Sequence, residues 1–172
     1  PLYTSFYIPE AMPDLFKHRH IKTSFIQNLP NIKEWYRTYL LFYPIAFQTM
    51  DLGNADLVLT SSATFAQGVC VPRGASHVVY CHTPMRFVWE THKYFETSTF
   101  HAAQQALLEF VKSPLKLWDA AAARRVTHYI ANSHNTQSKI KSFYGRDSEV
   151  IYPPIETRRF SISAKPEEFY LI

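Results

Sequence analysis

The chain has 172 residues, 47% hydrophobic and 16% aromatic, with a formal net charge of +4 and eight His besides. That is too apolar for a disordered segment and enough for one domain with a sizeable core. It excludes a membrane span, since no apolar run reaches ~18 residues, and it supplies neither a long basic run for nucleic acid nor a G-x-G-x-x-G or P-loop.

Leu2 to Tyr7 is rich in aromatic and β-branched types and predicts a strand, with Ile21 to Phe25 a second short one. The N-terminus has no initiator Met and no basic leader, so a piece of a longer protein is expected. Leu29-Pro30-Asn31 breaks the chain, with Asn31 a candidate cap for the next helix. Ile32 to Met50 carries Trp35, Tyr36, Tyr39, Leu40, Tyr43 and Phe47 at spacings of three and four, which predicts a helix kinked or split at Pro44. Lys33 and Arg37 flank that stripe, which suits a core and also a membrane or a lipid-linked substrate.

Ala55 to Thr60 reads as a buried strand. Ser61 and Ser62 then cap a short helix that Gly68 stops. His77 to Cys81 is the next strand, with Cys81 a buried thiol. Two cysteines, Cys70 and Cys81, make no disulfide framework and fit a reducing compartment, and with His82 they lack the paired short spacing of a zinc site. Thr83 suits a helix N-cap and Pro84 the first helical position, so Met85 to Glu90 predicts a helix.

Phe100 to Phe110 is helical by pattern, and Ser113-Pro114 restarts a helix through Leu117, Trp118, Ala121, Ala122 and Arg125. The four alanines Ala120 to Ala123 allow close packing, and Asp119 is expected to pair with Arg124 or Arg125. His128 to Ala131 is a strand ended by Asn132-Ser133, and Thr136 to Tyr144 is a helix stopped by Gly145. Glu149 to Tyr152 is one more strand, followed by Pro153-Pro154.

From Ala55 onward strands alternate with helices, which predicts a parallel α/β sheet covered on both faces. Three strands end in polar residues that open a helix: Ser61 and Ser62, His82 and Thr83, Asn132 and Ser133. Parallel strands put these endings on one edge, where helix N-termini favour a diphosphate or a carboxylate. Arg86 can grip an anion from the same edge, and His82 can accept a proton, donate a hydrogen bond or steady a charge.

The run Tyr80-Cys81-His82-Thr83-Pro84-Met85-Arg86-Phe87-Val88-Trp89 closely resembles a motif of retaining glycosyltransferases of family four, in their mannosyltransferase-like branch that builds bacterial surface polysaccharides. Ala55-Asp56-Leu57-Val58-Leu59-Thr60-Ser61-Ser62, Leu117-Trp118-Asp119, Tyr129-Ile130-Ala131-Asn132-Ser133 and Val150-Ile151-Tyr152-Pro153-Pro154-Ile155-Glu156-Thr157 match in order and spacing, so the resemblance covers nearly the whole chain. It implies the Rossmann-like N-terminal, acceptor-side domain of a two-domain GT-B enzyme, without its first strand. Residues 1–152 would be that domain, 153–168 an interdomain linker, and 169–172 the start of the donor domain.

The resemblance places His82 at the donor sugar and near the transferring carbon. Arg86, Asn132 and Ser133 would line the cleft, with Ser61, Ser62 and Thr83 on the same rim. It implies catalysis without metal or other cofactor. The donor would be a nucleotide sugar, GDP-mannose in this branch, and the acceptor a glycan or a polyprenyl-phosphate-linked sugar. The location would be cytoplasmic or peripheral at the inner face of the plasma membrane. Phe87 and Val88 stand where Tyr and Ala are common, and Glu90 where Asp is common, which leaves the role of that carboxylate open. The alternative is a non-catalytic Rossmann-like module that binds a nucleotide, a phosphate-bearing ligand or a partner protein. A receiver-type domain is a weaker reading, since no cluster of acidic residues marks a phospho-acceptor pocket.

Overall fold

The computed structural model describes residues 1–91 and 102–159. Strands β3 (Leu57–Ser62), β4 (Ser76–Cys81), β5 (His128–Ala131) and β6 (Glu149–Val150) form a parallel sheet in the order β3-β4-β5-β6. A smaller parallel pair joins β1 (Leu2–Thr4) to β2 (Ile21–Thr23). The architecture is therefore α/β and Rossmann-like, as the alternation of elements predicts. β1 and β2 are shorter than expected because Ser24 turns the chain. Its hydroxyl donates to the Ser5 carbonyl at 2.7 Å and accepts from the Ile26 N–H at 3.2 Å, starting a 3-10 turn over Phe25–Asn28.

The long aromatic helix expected over 32–50 is three short pieces: α1 (Ile32–Trp35), a 3-10 stretch (Thr38–Phe42) and α2 (Tyr43–Gln48). Pro44 lies in the first turn of α2, where its missing N–H leaves nothing unpaired. Asn31 takes a left-handed φ of 48° and forms no side-chain cap. The aromatic stripe divides. Tyr39, Leu40, Tyr43 and Phe47 pack on buried clusters, while Trp35, Phe42 and Ile45 stay 52%, 46% and 53% exposed.

After β4 comes a single helical turn, α3 (Arg86–Trp89). Then α4 (Ala102–Arg125) runs unbroken through Pro114, so Ser113 caps nothing and the expected restart is absent. Val111 and Leu115, one on each side of Pro114, enter the same cluster as Phe65, Met85, Phe87 and Val88. That shared burial keeps the helix continuous across the one missing N–H. Ala122 and Ala123 are buried as the small residues predict, whereas Leu117 is 74% exposed. Gly68, expected to stop a helix, closes a 3-10 turn (Ala66–Gly68) and packs so near Trp118 that a Cβ would collide with the indole. Helix α5 (His134–Tyr144) ends at Gly145, whose φ of 67° suits the left-handed C-cap. Of the expected elements, Phe100, the linker from 160 onward and the strand at 169–172 lie outside the described residues.

One face of the main sheet is packed. Val79, Cys81, Tyr129 and Ala131 meet Ala123, Val126 and Ile140. Burial pushes the Cys81 thiol up to about 12, with the Asp119 carboxylate adding to it. Among the described residues the other face is the more open one. Leu57 and Leu59 are 62% and 70% exposed, because β3 is an edge strand whose alternate residues point away from the helices.

His77 on β4 is wholly buried. Its Nε2 lies 2.9 Å from the Thr60 hydroxyl, and its Nδ1 has no partner among the described residues. Burial, helped by the charge of Arg125, lowers its pKa to about 4. The unfolded chain takes up this proton near pH 6.5, and the folded chain not until about pH 4. Stability is then full above pH 6.5 and falls by about 3 kcal/mol as the pH drops to 4. Urea midpoints measured across this range should show that loss, and His77→Gln should flatten it. An equally steep loss in the variant would assign it to other groups.

Candidate functional site

The site is built where the parallel strands end. The His82 N–H donates to the Ser62 carbonyl at 2.8 Å, the Asn132 N–H to the Cys81 carbonyl at 3.3 Å, and the Ile151 N–H to the Ala131 carbonyl at 3.0 Å. These bonds carry the ladder one step past each strand and line up Ser62, His82, Asn132 and Ile151 on one rim. Side chains alternate along each strand, so Leu57, Leu59 and Ser61 share the open face with Val78, Tyr80 and His82.

His82 is exposed and points to that face, not into the core. Its Nε2 lies 2.8 Å from the Ser61 hydroxyl. The Tyr80 ring meets the imidazole edge-on at 5.2 Å, and the Tyr80 hydroxyl donates to the Ile151 carbonyl at 3.0 Å. The His82 carbonyl accepts from the Thr136 hydroxyl at 3.1 Å. Backbone and ring are thus both held, with Nδ1 opposite the nitrogen that Ser61 engages. If Ser61 donates to Nε2, Nδ1 carries the proton and can donate to a ligand oxygen; if Ser61 accepts, Nδ1 is a base.

The other expected residues fall into place unequally. Ser62 is buried, its oxygen accepting from the Gln67 N–H at 3.3 Å, so it shapes the turn from inside and does not face the rim. β3 runs on through both serines, and no helix starts at either. Thr83 is not a helix cap. Its hydroxyl donates to the Pro84 carbonyl at 3.2 Å, and α3 begins only after Met85, which occupies the N-cap position. The reason is the backbone of Met85, which at φ −56° and ψ 94° is not helical and delays the first turn to Arg86. Arg86 opens α3 and is exposed.

Asn132 is half-buried, with Ser133 Oγ 3.1 Å from its Oδ1. Ser133 caps α5 by accepting from the Thr136 N–H at 3.2 Å. Its oxygen therefore serves the helix first. Of three expected helix starts on the rim, only this one is a helix of more than a single turn.

Asp119 pairs with neither Arg124 nor Arg125. It is 0% exposed and accepts from Gln67 Nε2 at 2.5 Å, Trp89 Nε1 at 2.7 Å and the Tyr144 hydroxyl at 2.7 Å. Burial raises its pKa against the pull of those three donors. Arg125 instead donates to the Gly68 carbonyl at 3.2 Å. The Leu117-Trp118-Asp119 run is the one sequence signal for this cluster, and neighbours in sequence point to the wrong partners. A cavity of about 300 Å³ lies elsewhere, between Tyr3, Lys22, Phe25 and Met50, and holds none of the rim residues.

Residues 4–159 match the family model described as Glycosyltransferase Family 4. The chain belongs to that family. No curated protein and no solved structure gives a match. The match spans the main sheet, β2 and the whole of the rim, so the resemblance carried by the His82 run and its companions is shown at the level of the family. Membership of Glycosyltransferase Family 4 makes the chain a glycosyltransferase domain, of a class that works on a nucleotide-sugar donor and an acceptor.

Proposed function

We propose that this domain is the acceptor-side lobe of a retaining GT-B glycosyltransferase. It moves a hexose, mannose from GDP-mannose by the resemblance, to a glycan or a polyprenyl-phosphate-linked acceptor. The observation that carries the reading is the exposed His82, held by Ser61 and Thr136 on the rim where parallel strands end. Departure of a diphosphate needs dipoles and cations placed before the charge develops. Arg86 and the first turn of α5 supply them, while His82 lies against the sugar as the bond to the leaving group breaks. The leaving diphosphate helps take the acceptor's proton on the same face, which retains configuration. A second lobe, beyond residues 153–168, would close the open rim and bind the nucleotide. The additional strand that the resemblance implies would sit between β1 and β3, whose outer edges carry no strand partner among the described residues.

The test is transfer by the full-length protein with a panel of nucleotide sugars. Arg86→Ala should raise the KM for donor or acceptor by about tenfold. An unchanged KM and kcat would remove Arg86 from the site. Ligand binding with no turnover for any sugar would return the chain to the non-catalytic alternative.

The exposure of Trp35, Phe42 and Ile45, with Arg37 exposed in the same segment of the chain, favours a further element of this reading, peripheral contact with an anionic membrane that holds a lipid-linked acceptor. Co-sedimentation with anionic vesicles should fall by about tenfold in the double variant Trp35→Ala, Phe42→Ala. Equal binding by variant and parent would end it.

A further inference from the structure

Helix α3 is one turn long, too short to hold its shape unaided, yet it begins with Arg86. Phe87 and Val88 bury its inner side against Phe65, Val111 and Leu115, and polar bonds fix its far end. The Trp89 indole N–H donates to Asp119 Oδ2 at 2.7 Å. The same ring stacks on Phe143 at 5.0 Å and meets the Lys116 ammonium at 4.6 Å. The next residue, Glu90, pairs with Lys139 at 2.6 Å, the two side chains only 14% and 22% exposed. At the near end, the Thr136 hydroxyl holds the His82 carbonyl. Residues 82–90 are therefore tied to α4 and α5 at both ends.

Asp119 is the centre of this clamp. Besides Trp89 it receives Gln67 and Tyr144, and Gln67 is fixed in turn by the Tyr129 hydroxyl at 2.8 Å. A buried carboxylate contributes little net stability compared with apolar packing. Its distinctive property is direction, because an indole N–H has one axis along which it can donate. Apolar contacts would let Trp89 slide and α3 with it; the bond to Asp119 sets one placement.

We infer that Asp119 is a positioning residue for sugar transfer: through Trp89 it fixes α3, and so fixes the backbone from which the exposed Arg86 projects. The inference rests on the function proposed above and adds to it the residue that sets the geometry from within the core. It also gives Glu90 a role, as the second anchor of the same turn.

The test uses the full-length enzyme and a double-mutant cycle. Trp89→Phe keeps the stacked ring and deletes the N–H; Asp119→Asn keeps the shape and removes the charge. Trp89→Phe should raise KM about tenfold in the parent, yet less than about twofold in an Arg86→Ala background, because the group being positioned is gone, and Asp119→Asn, whose amide oxygen still accepts from the indole, should raise it less. Ile26→Val, a core change in a separate cluster, should leave KM unaltered. Hydrogen exchange needs no substrate. The Trp89 and Glu90 amides, which donate to the Met85 and Arg86 carbonyls at 3.0 and 2.8 Å, should exchange at least about tenfold faster in Trp89→Phe. Additive effects on KM, or unaltered exchange, while Arg86→Ala still impairs transfer, would overturn the clamp alone. Silent Arg86→Ala and His82→Ala variants would overturn the underlying function and the clamp with it. Should Asp119→Asn fail to fold, Trp89→Phe decides the matter.

Discussion

Replacing His82 by Ala should lower kcat by more than about a hundredfold in the full-length protein, on the function proposed above. The reason is where the ring stands. It is exposed on the open face, held through Nε2 by Ser61 and edge-on by Tyr80, and no core cluster includes it. Its loss therefore leaves the sheet intact. The His82 backbone bonds to Ser62 and Thr136 do not involve the ring, so the variant should unfold at the parent's midpoint. A prepositioned dipole that acts only as the leaving group departs shows in kcat more than in KM. Steady-state kinetics with the best donor of the panel, beside a melting curve, separates that result from misfolding. Turnover near the parent's value in a folded variant would take His82 out of the chemistry. Ser61→Ala should give a smaller loss in the same direction, since it frees the ring without deleting it.

The sheet and its rim are legible in the sequence because they rest on local signals. Short apolar runs ended by Ser, His and Asn mark strands β3, β4 and β5, and all three endings lie together. What the sequence hides are features decided by tertiary contact. Pro114 reads as a helix start because proline favours that position, yet Val111 and Leu115 share one buried cluster across it and keep α4 continuous. Leu57 and Leu59 read as buried by composition, but an edge strand exposes alternate residues. Ser62 reads as equivalent to Ser61, and one step along a strand turns it into the core. Asp119 misleads for a related reason: its partners Gln67, Trp89 and Tyr144 lie 52, 30 and 25 positions away, and no spacing rule connects them.

That distance in sequence sets the second large effect. Asp119→Ala should lower the stability of the domain by about 3–5 kcal/mol, because it strands three buried donors at once and each unpartnered group costs about 1–3 kcal/mol. For a chain of this length the midpoint of thermal unfolding should drop by roughly 10 °C. Asp119→Asn should lose less, since one amide oxygen still accepts from Trp89 while its N–H groups oppose those of Gln67. Burial already works against the ionised carboxylate, so removing the charge alone would be favourable; the expected loss comes from the donors left behind. The two contributions separate experimentally. Converting the whole cluster to apolar residues, Asp119→Leu with Gln67→Leu, Trp89→Phe, Tyr144→Phe and Tyr129→Phe, removes the charge, its three donors and the hydroxyl that Gln67 receives, and should recover most of the stability lost by Asp119→Ala alone. Thermal and urea unfolding of both variants reads this directly. A single variant within about 1 kcal/mol of the parent would show that water replaces the carboxylate, and that the core around Trp89 does not depend on it.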